Sequence, residues 1–169
     1  MESNGAMDQA VKVPAAKAGK FLTFTLKEEE YGIGILKVKE IIGMMPVTSV
    51  PRTPEFVKGV INLRGKVIPV VDLRLKFSME SIPYNERTCI IVVEIDSAKA
   101  TVLIGIVVDA VSEVLNIEEK NIENAPTFGT SLDTEYILGM AKMEGGVKIL
   151  LDIDRVLSQE EVIQLDKVS

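Results

Sequence analysis

The stretch Gly59-Val-Ile-Asn-Leu-Arg-Gly-Lys-Val-Ile-Pro-Val-Val-Asp-Leu73 occurs in two versions in this chain. Gly59, Gly65, Val67 and Asp72 stand opposite Gly139, Gly145, Val147 and Asp152. Between these anchors the apolar character persists, with Val60, Leu63, Val70, Val71 and Leu73 opposite Met140, Met143, Leu150, Leu151 and Ile153. Such a repeat restricts the fold to one built from two like units that share a core. Each copy reads as two extended runs joined by a tight turn, where Gly65 and Gly145 supply the positive φ of a hairpin. Each is closed by an aspartate, Asp72 or Asp152, whose short carboxylate suits it to cap the backbone of the next turn or helix. The repeat also reaches upstream. Gly32-Ile33 and Val38-Lys-Glu-Ile-Ile42 match Gly105-Ile106 and Val111-Ser-Glu-Val-Leu115, with the same spacing from Gly to Glu.

Between these anchors the pattern is that of short strands. Residues 1–19 are small and polar without a helical or strand period and read as a flexible leader, in which Met7 is a possible alternative start. Phe21-Leu-Thr-Phe-Thr-Leu26 and Tyr31-Gly-Ile-Gly-Ile35 are β-type runs on either side of a charged turn. Thr88–Glu94 and Ala100–Val108 supply two more, beyond a turn-rich joint at Ser78–Asn85. About ten short strands result, several with adjacent Val, Ile or Leu on both alternation faces, which suits small closed barrels that leave no open edge. Pro69 cannot donate to a ladder and marks an edge or bulge. Ser158-x-x-Glu161 reads as a capping box at the start of a C-terminal helix over 158–169. The expected organisation is a single domain over 20–157, made of two halves at about 20–84 and 85–157.

Composition removes several function classes. The 169 residues include no histidine, the commonest general base and metal ligand, and one cysteine, Cys89, which sits in an apolar run as a small core residue. An enzyme would have to use carboxylates such as Asp72 and Asp152, both better explained as caps. No phosphate loop, metal cluster or nucleophile motif is present, so no catalytic, cofactor or metal residue is expected. A net charge of −6 and few aromatics argue against a nucleic-acid partner. No apolar run approaches the ~18 residues of a membrane span, and no signal peptide is evident, so the expectation is a cytoplasmic protein without direct membrane insertion.

Taken together, Tyr31-Gly-Ile-Gly-Ile35, Val38-Lys-Glu-Ile41, Gly59-Val-Ile-Asn-Leu-Arg-Gly65, Ile68-Pro-Val-Val-Asp-Leu73, Gly105-Ile-Val-Val-Asp109 and Val111-Ser-Glu-Val114 resemble the CheW family of bacterial chemotaxis adapters. The resemblance covers residues 21 to about 157. It implies two small five-stranded SH3-like β-barrels around a shared groove, a short C-terminal helix, no catalysis and no cofactor. It also implies a scaffold that couples the cytoplasmic tips of transmembrane, methyl-accepting chemoreceptors to the regulatory domain of a CheA-type histidine kinase, or an adapter of another chemosensory pathway such as twitching motility. Recruitment to membrane-associated receptor arrays follows from that role.

By position, the resemblance places Glu40 and Arg64 on the receptor-facing side, Val38 in the receptor groove and Val111, its repeat counterpart, on the other wall. An apolar cleft flanked by charges is the physics of a helix laid in a groove. Glu40 and Arg64 can equally form an intramolecular salt bridge, or serve both ends. Arg64 is replaced by Glu144 in the second copy, so whatever Arg64 does belongs to the first half alone. Phe128 matches a position implicated in kinase contact. A Pro-x-Phe with Phe56 in the first half suggests packing for both aromatics.

Overall fold

The computed structural model describes residues 18–96, 100–124 and 136–168. Its strands are β1 Gly19–Leu26, β2 Glu29–Gly34, β3 Val38–Gly43, β4 Val57–Leu63, β5 Lys66–Asp72, β6 Cys89–Asp96, β7 Thr101–Val108, β8 Ala110–Ile117, β9 Ile122–Glu123, β10 Ile137–Met143 and β11 Gly146–Leu151. Short helices α1 Leu73–Lys76 and α2 Ile153–Val156 close the two repeats, and α3 Gln159–Val168 ends the chain. Single 3₁₀ turns, Ile35–Lys37 and Glu119–Asn121, follow β2 and β8.

These strands make a five-stranded sheet in the order β3-β6-β7-β5-β4 and a six-stranded sheet in the order β9-β10-β11-β2-β1-β8. The mainly β architecture with two small sheets and a terminal helix agrees with the sequence. The sixth strand is the two-residue β9.

The sheets do not follow the expected division at about 84/85. Each repeat lends its first hairpin to the other: β1–β2 lies in the six-stranded sheet and β6–β7 in the five-stranded one. The cause is parallel pairing. Strand β5 pairs parallel with β7, Val70 against Gly105, and β11 pairs parallel with β2, Leu150 against Gly32, which is the same register in both repeats. Parallel neighbours cannot be joined by a tight turn, so each closing strand finds its partner in the other repeat.

Strands buried on both faces explain the unbroken apolar runs. On β6, Ile91 and Val93 face a main core between the sheets, together with Phe24, Ile33, Leu73, Ile104, Leu151 and Ile153. The alternate residues Ile90 and Val92 face a smaller core with Ile61, Ile68, Val70 and Val107, roofed by Met44, Met45 and Val47. Phe21, Ile117, Ala141 and Leu150 form the equivalent cluster in the six-stranded sheet. Pro69 lies on an inner strand rather than an edge, and its missing donor is tolerated because pairing with β7 begins only at Val70.

Irregularities recur as faithfully as strands do. Register shifts fall between Val57 and Gly59 and between Ile137 and Gly139. A second equivalent pair involves Val38/Glu40 on β3 and Leu22/Phe24 on β1. At the latter, the buried Thr23 hydroxyl donates to the Glu113 carbonyl at 2.8 Å and accepts from its amide at 3.1 Å, satisfying the backbone that the bulge leaves open.

Helix starts behave as the sequence predicts. Asp72 accepts from the Leu75 amide at 3.3 Å and Asp152 from the Asp154 amide at 3.1 Å. The Ser158 hydroxyl accepts from the Glu161 amide at 3.1 Å while Glu161 accepts from the Ser158 amide at 2.8 Å, a reciprocal capping box. Glu161 also pairs with Lys76 at 2.9 Å, tying α3 to α1 while Val162 and Leu165 enter the main core. The Tyr84 hydroxyl donates to Asp72 at 2.7 Å, pinning the joint between repeats to the first cap.

Among the described residues the chain passes between sheets at two places, Ile35–Lys37 and Asp109, and an ion pair holds each. Arg74 on α1 grips Asp109 through Nε at 2.8 Å and Nη2 at 2.7 Å, and Asp109 also accepts from the Lys27 amide at 2.7 Å. Lys37 reaches Asp154 on α2 at 3.0 Å and Asp96 at 3.5 Å, while Asp154 accepts from the Asp96 amide at 3.0 Å. Burial alone lowers the Lys37 pKa, but the hydrogen bonds and charges of Asp154 and Asp96 outweigh it and raise the value overall.

Two outcomes follow for stability. A Cβ at Gly105 would meet Ile90 Cγ2 at 2.7 Å, a side-chain clash that costs about 1–3 kcal/mol. At Gly59, φ is +141° and a Cβ would lie 2.0 Å from the Thr48 carbonyl oxygen, so backbone must move. Urea unfolding is therefore expected to rank Gly59→Ala below Gly105→Ala, and both below wild type. Burial, then the hydrogen bond to Asp72 and its charge, raises the Tyr84 pKa above the usual tyrosine range. The neutral phenol's contribution is complete below pH ~10 and is lost as pH rises towards the folded value. Tyr84→Phe should cost about 1 kcal/mol at pH 8, with the gap to wild type narrowing above pH ~10 in melts followed by circular dichroism.

Candidate functional site

The structure brings Glu40 and Arg64 together, as an ion pair in which Nη2 of Arg64 donates to Oε1 of Glu40. Glu40 lies on β3 opposite Val92 of β6. Arg64 and Gly65 are the central residues of the turn between Leu63 and Lys66, with φ of +51° and +88°, as a two-residue hairpin turn demands. The Asn62 side chain accepts from the Gly65 amide at 2.9 Å and fixes that turn. Arg64 therefore occupies a left-handed position that any Cβ makes unfavourable. Its side chain is 69% exposed, and hydrogen bonding to Glu40, then the carboxylate's charge, raises its pKa further.

Around this pair Lys39, Lys66, Leu63, Ile68, Val92 and Leu103 line a depression of about 310 Å³ at the mouth of the smaller core. Lys39 is held by Glu94 at 3.2 Å. The counterpart of the ion pair in the second repeat is Glu113 with Glu144, two carboxylates that cannot form one.

Val38 and Val111 occupy equivalent places. Val38 opens β3 opposite Val93, Val111 lies at the start of β8 opposite Phe24, and both are half-buried against the rim of the main core. Beside them are apolar side chains that the motif reading did not single out: Leu36, 89% exposed in the first crossing, and the counterparts Ile41 and Val114, 43% and 49% exposed. The available signal was the recurrence of an apolar residue after each glutamate. The position of Leu36 carries no such mark, because Asp109 stands there in the second repeat.

Phe128 lies outside the described residues. Phe56 has a different structural counterpart from the one its Pro-x-Phe suggests: the Asp72 amide donates to the Phe56 carbonyl and the Asp152 amide to the Tyr136 carbonyl, both at 2.8 Å, so Tyr136 is its equivalent. Both rings pack. Phe56 lies under Lys76 with Nζ 4.7 Å from the ring centroid, and Tyr136 stacks on Phe77 at 5.2 Å. Asp72 and Asp152 cap separate helices, and among the described residues no group of three or more His, Cys, Asp or Glu could hold a metal ion. No described helix is long and apolar enough to cross a membrane.

Comparison with known proteins places this arrangement. The CheW-like domain matches residues 20–161. The chemotaxis protein CheW of Klebsiella aerogenes is 45% identical over 150 residues, covering 89% of this chain and 88% of that protein. Protein FrzA of Myxococcus xanthus is 28% identical over 154 residues, covering 90% of this chain and 93% of the relative. The crystal structure of the scaffolding protein TtCheW from Thermoanaerobacter tengcongensis superposes with a TM-score of 0.74 at 37% identity, covering 85% of this chain and 97% of that one. Sequence match over most of the chain and agreement of the two-sheet architecture lead to one conclusion: this chain belongs to the CheW-like family.

Proposed function

We propose that the protein is a non-catalytic chemotaxis adapter, a scaffold that couples the cytoplasmic tips of transmembrane chemoreceptors to the regulatory domain of a CheA-type histidine kinase. The observation that carries this reading is family membership across residues 20–161. The geometry supports it: an ion pair on a hairpin turn, Glu40–Arg64, and two equivalent half-buried valines, Val38 and Val111, at the rim of the core between the sheets. In this reading Val38 and Val111 line the cleft that takes one face of a receptor helix, and Glu40 and Arg64 set its register. Phe128 is assigned to the kinase side. The protein works in the cytoplasm, recruited to membrane-associated arrays through these partners.

A second reading, an adapter of another chemosensory pathway such as twitching motility, draws on the likeness to FrzA. The kinase that the protein binds separates the two.

Pull-down with the cognate kinase regulatory domain and a receptor-tip fragment is expected to capture both. Capture of neither would sink the adapter reading. Because the Arg64 side chain is mostly exposed, Arg64→Glu should weaken capture of the receptor fragment while leaving the melting temperature almost unchanged. A large drop in melting temperature instead would make Arg64 a folding residue.

A further inference from the structure

Val38 and Val111 share more than equivalent places in the repeat. Val38 is the first residue of β3 and Val111 the second of β8, each just after the chain has crossed between sheets: Lys37 immediately precedes Val38, and Asp109 stands two residues before Val111. Each crossing is clamped to the other repeat. Lys37 belongs to the first repeat and its partners Asp154 and Asp96 to the second, whereas Asp109 belongs to the second and its partner Arg74 to the first. Both cations thus come from one repeat and all three carboxylates from the other.

Each clamp also holds a hairpin end, since Asp109 accepts from the Lys27 amide and Asp154 from the Asp96 amide. A strand that starts one or two residues from such a clamp has little freedom to turn or slide at its first residue. Its direction there is set by where the clamp places the backbone.

We propose that Lys37–Asp154 and Arg74–Asp109 are positioning contacts that fix the separation and mutual orientation of β3 and β8 at Val38 and Val111, and so set the width of the cleft between them. The proposal rests on the reading of Val38 and Val111 as the walls of a receptor cleft. The two clamps differ in kind. Arg74–Asp109 is two-pronged and shielded, with side chains 11% and 20% exposed, so removing one partner strands a charge and endangers the fold. Lys37 makes single-point contacts and is more accessible, with side chains of 25% and 34% for Lys37 and Asp154. The Lys37 clamp is therefore the adjustable one, and its loss releases the β3 end of the cleft without exposing core.

The full-length protein provides the test. Spin labels at Ile41→Cys and Val114→Cys, equivalent exposed positions on β3 and β8, report the strand separation in a Cys89→Ser background. Lys37→Met keeps the aliphatic stem and removes the charge, and Lys37→Arg restores the charge. Lys37→Met is expected to broaden the label-to-label distance distribution, and Lys37→Arg to return it to the wild-type width. In unlabelled protein, Lys37→Met should weaken binding of the receptor-tip fragment about fivefold, the size of a modest coupling between contacts, with binding of the kinase regulatory domain unchanged. An unchanged distance distribution would overturn the proposal. So would an equal loss of both partners with a lowered melting temperature, which marks a merely structural role. If the wild-type protein binds no receptor fragment, the cleft reading fails, and the distance distribution alone then decides whether the clamp positions the strands.

Discussion

Parallel pairing of β5 with β7 and of β11 with β2 is the constraint from which the rest of this structure follows. A glycine stands at each of these contacts: a Cβ at Gly32 would lie 3.0 Å from Leu150 Cδ2 across the parallel ladder, and one at Gly105 would run into Ile90 of the antiparallel neighbour β6. Once the two ladders form, the first hairpin of each repeat is committed to the other's sheet. Neither repeat can then complete its sheet alone. The main core draws Phe24 and Ile33 from the first repeat and Ile104 and Leu151 from the second, so burial of fully enclosed side chains, each contributing about 1.5–3 kcal/mol, rewards only the joined form. The short helices fall into place after each closing strand because Asp72 and Asp152 cap them there.

Within this near-symmetric frame, charge is what distinguishes one end from the other. Arg74 on α1 has Asp154 as its counterpart on α2, so the two helices offer opposite signs to the crossings they hold. Had each helix met the other crossing, Arg74 would face Lys37 and Asp154 would face Asp109. Like charges in those half-shielded places are unfavourable, so the clamps reject the exchanged docking as well as favouring the observed one. Backbone pairing alone, identical in both repeats, contains no such discrimination.

The sequence disclosed what is local. Caps at Asp72 and Asp152 and the Ser158–Glu161 box are decided within three residues, and the glycines of the hairpin turns mark themselves by the φ they need. The ion pair of Glu40 and Arg64 was legible through the family resemblance. Pairing between strands far apart in the chain was not, because a parallel ladder leaves no turn between its partners to read. A consecutive repeat naturally suggests consecutive barrels, and only the Gly105–Val70 and Gly32–Leu150 registers reveal the exchange. Phe56 shows the related difficulty. Its Pro-x-Phe has a later echo at Phe128, yet the position whose carbonyl meets the closing aspartate is Tyr136, since an element's place is set by its hydrogen bonds rather than by its neighbours in sequence.

An adapter made of two like halves meets a problem that its symmetry creates: a partner fitted to one half finds a similar surface on the other. Here the backbone, the bulges and even the exposed apolar positions Ile41 and Val114 are matched, so shape offers little to tell the halves apart. The hairpin turns do. A partner approaching Arg64 meets a guanidinium already oriented by Glu40, whereas at the equivalent turn it meets Glu144 with Glu113 as the counterpart of Glu40. A group that hydrogen-bonds to the first is repelled by the second, and the repulsion is needed because attraction at one site alone does not forbid weaker binding at its twin. One charged residue on an exposed turn makes the two halves electrostatically distinct without touching the glycine or the aspartate that the fold requires.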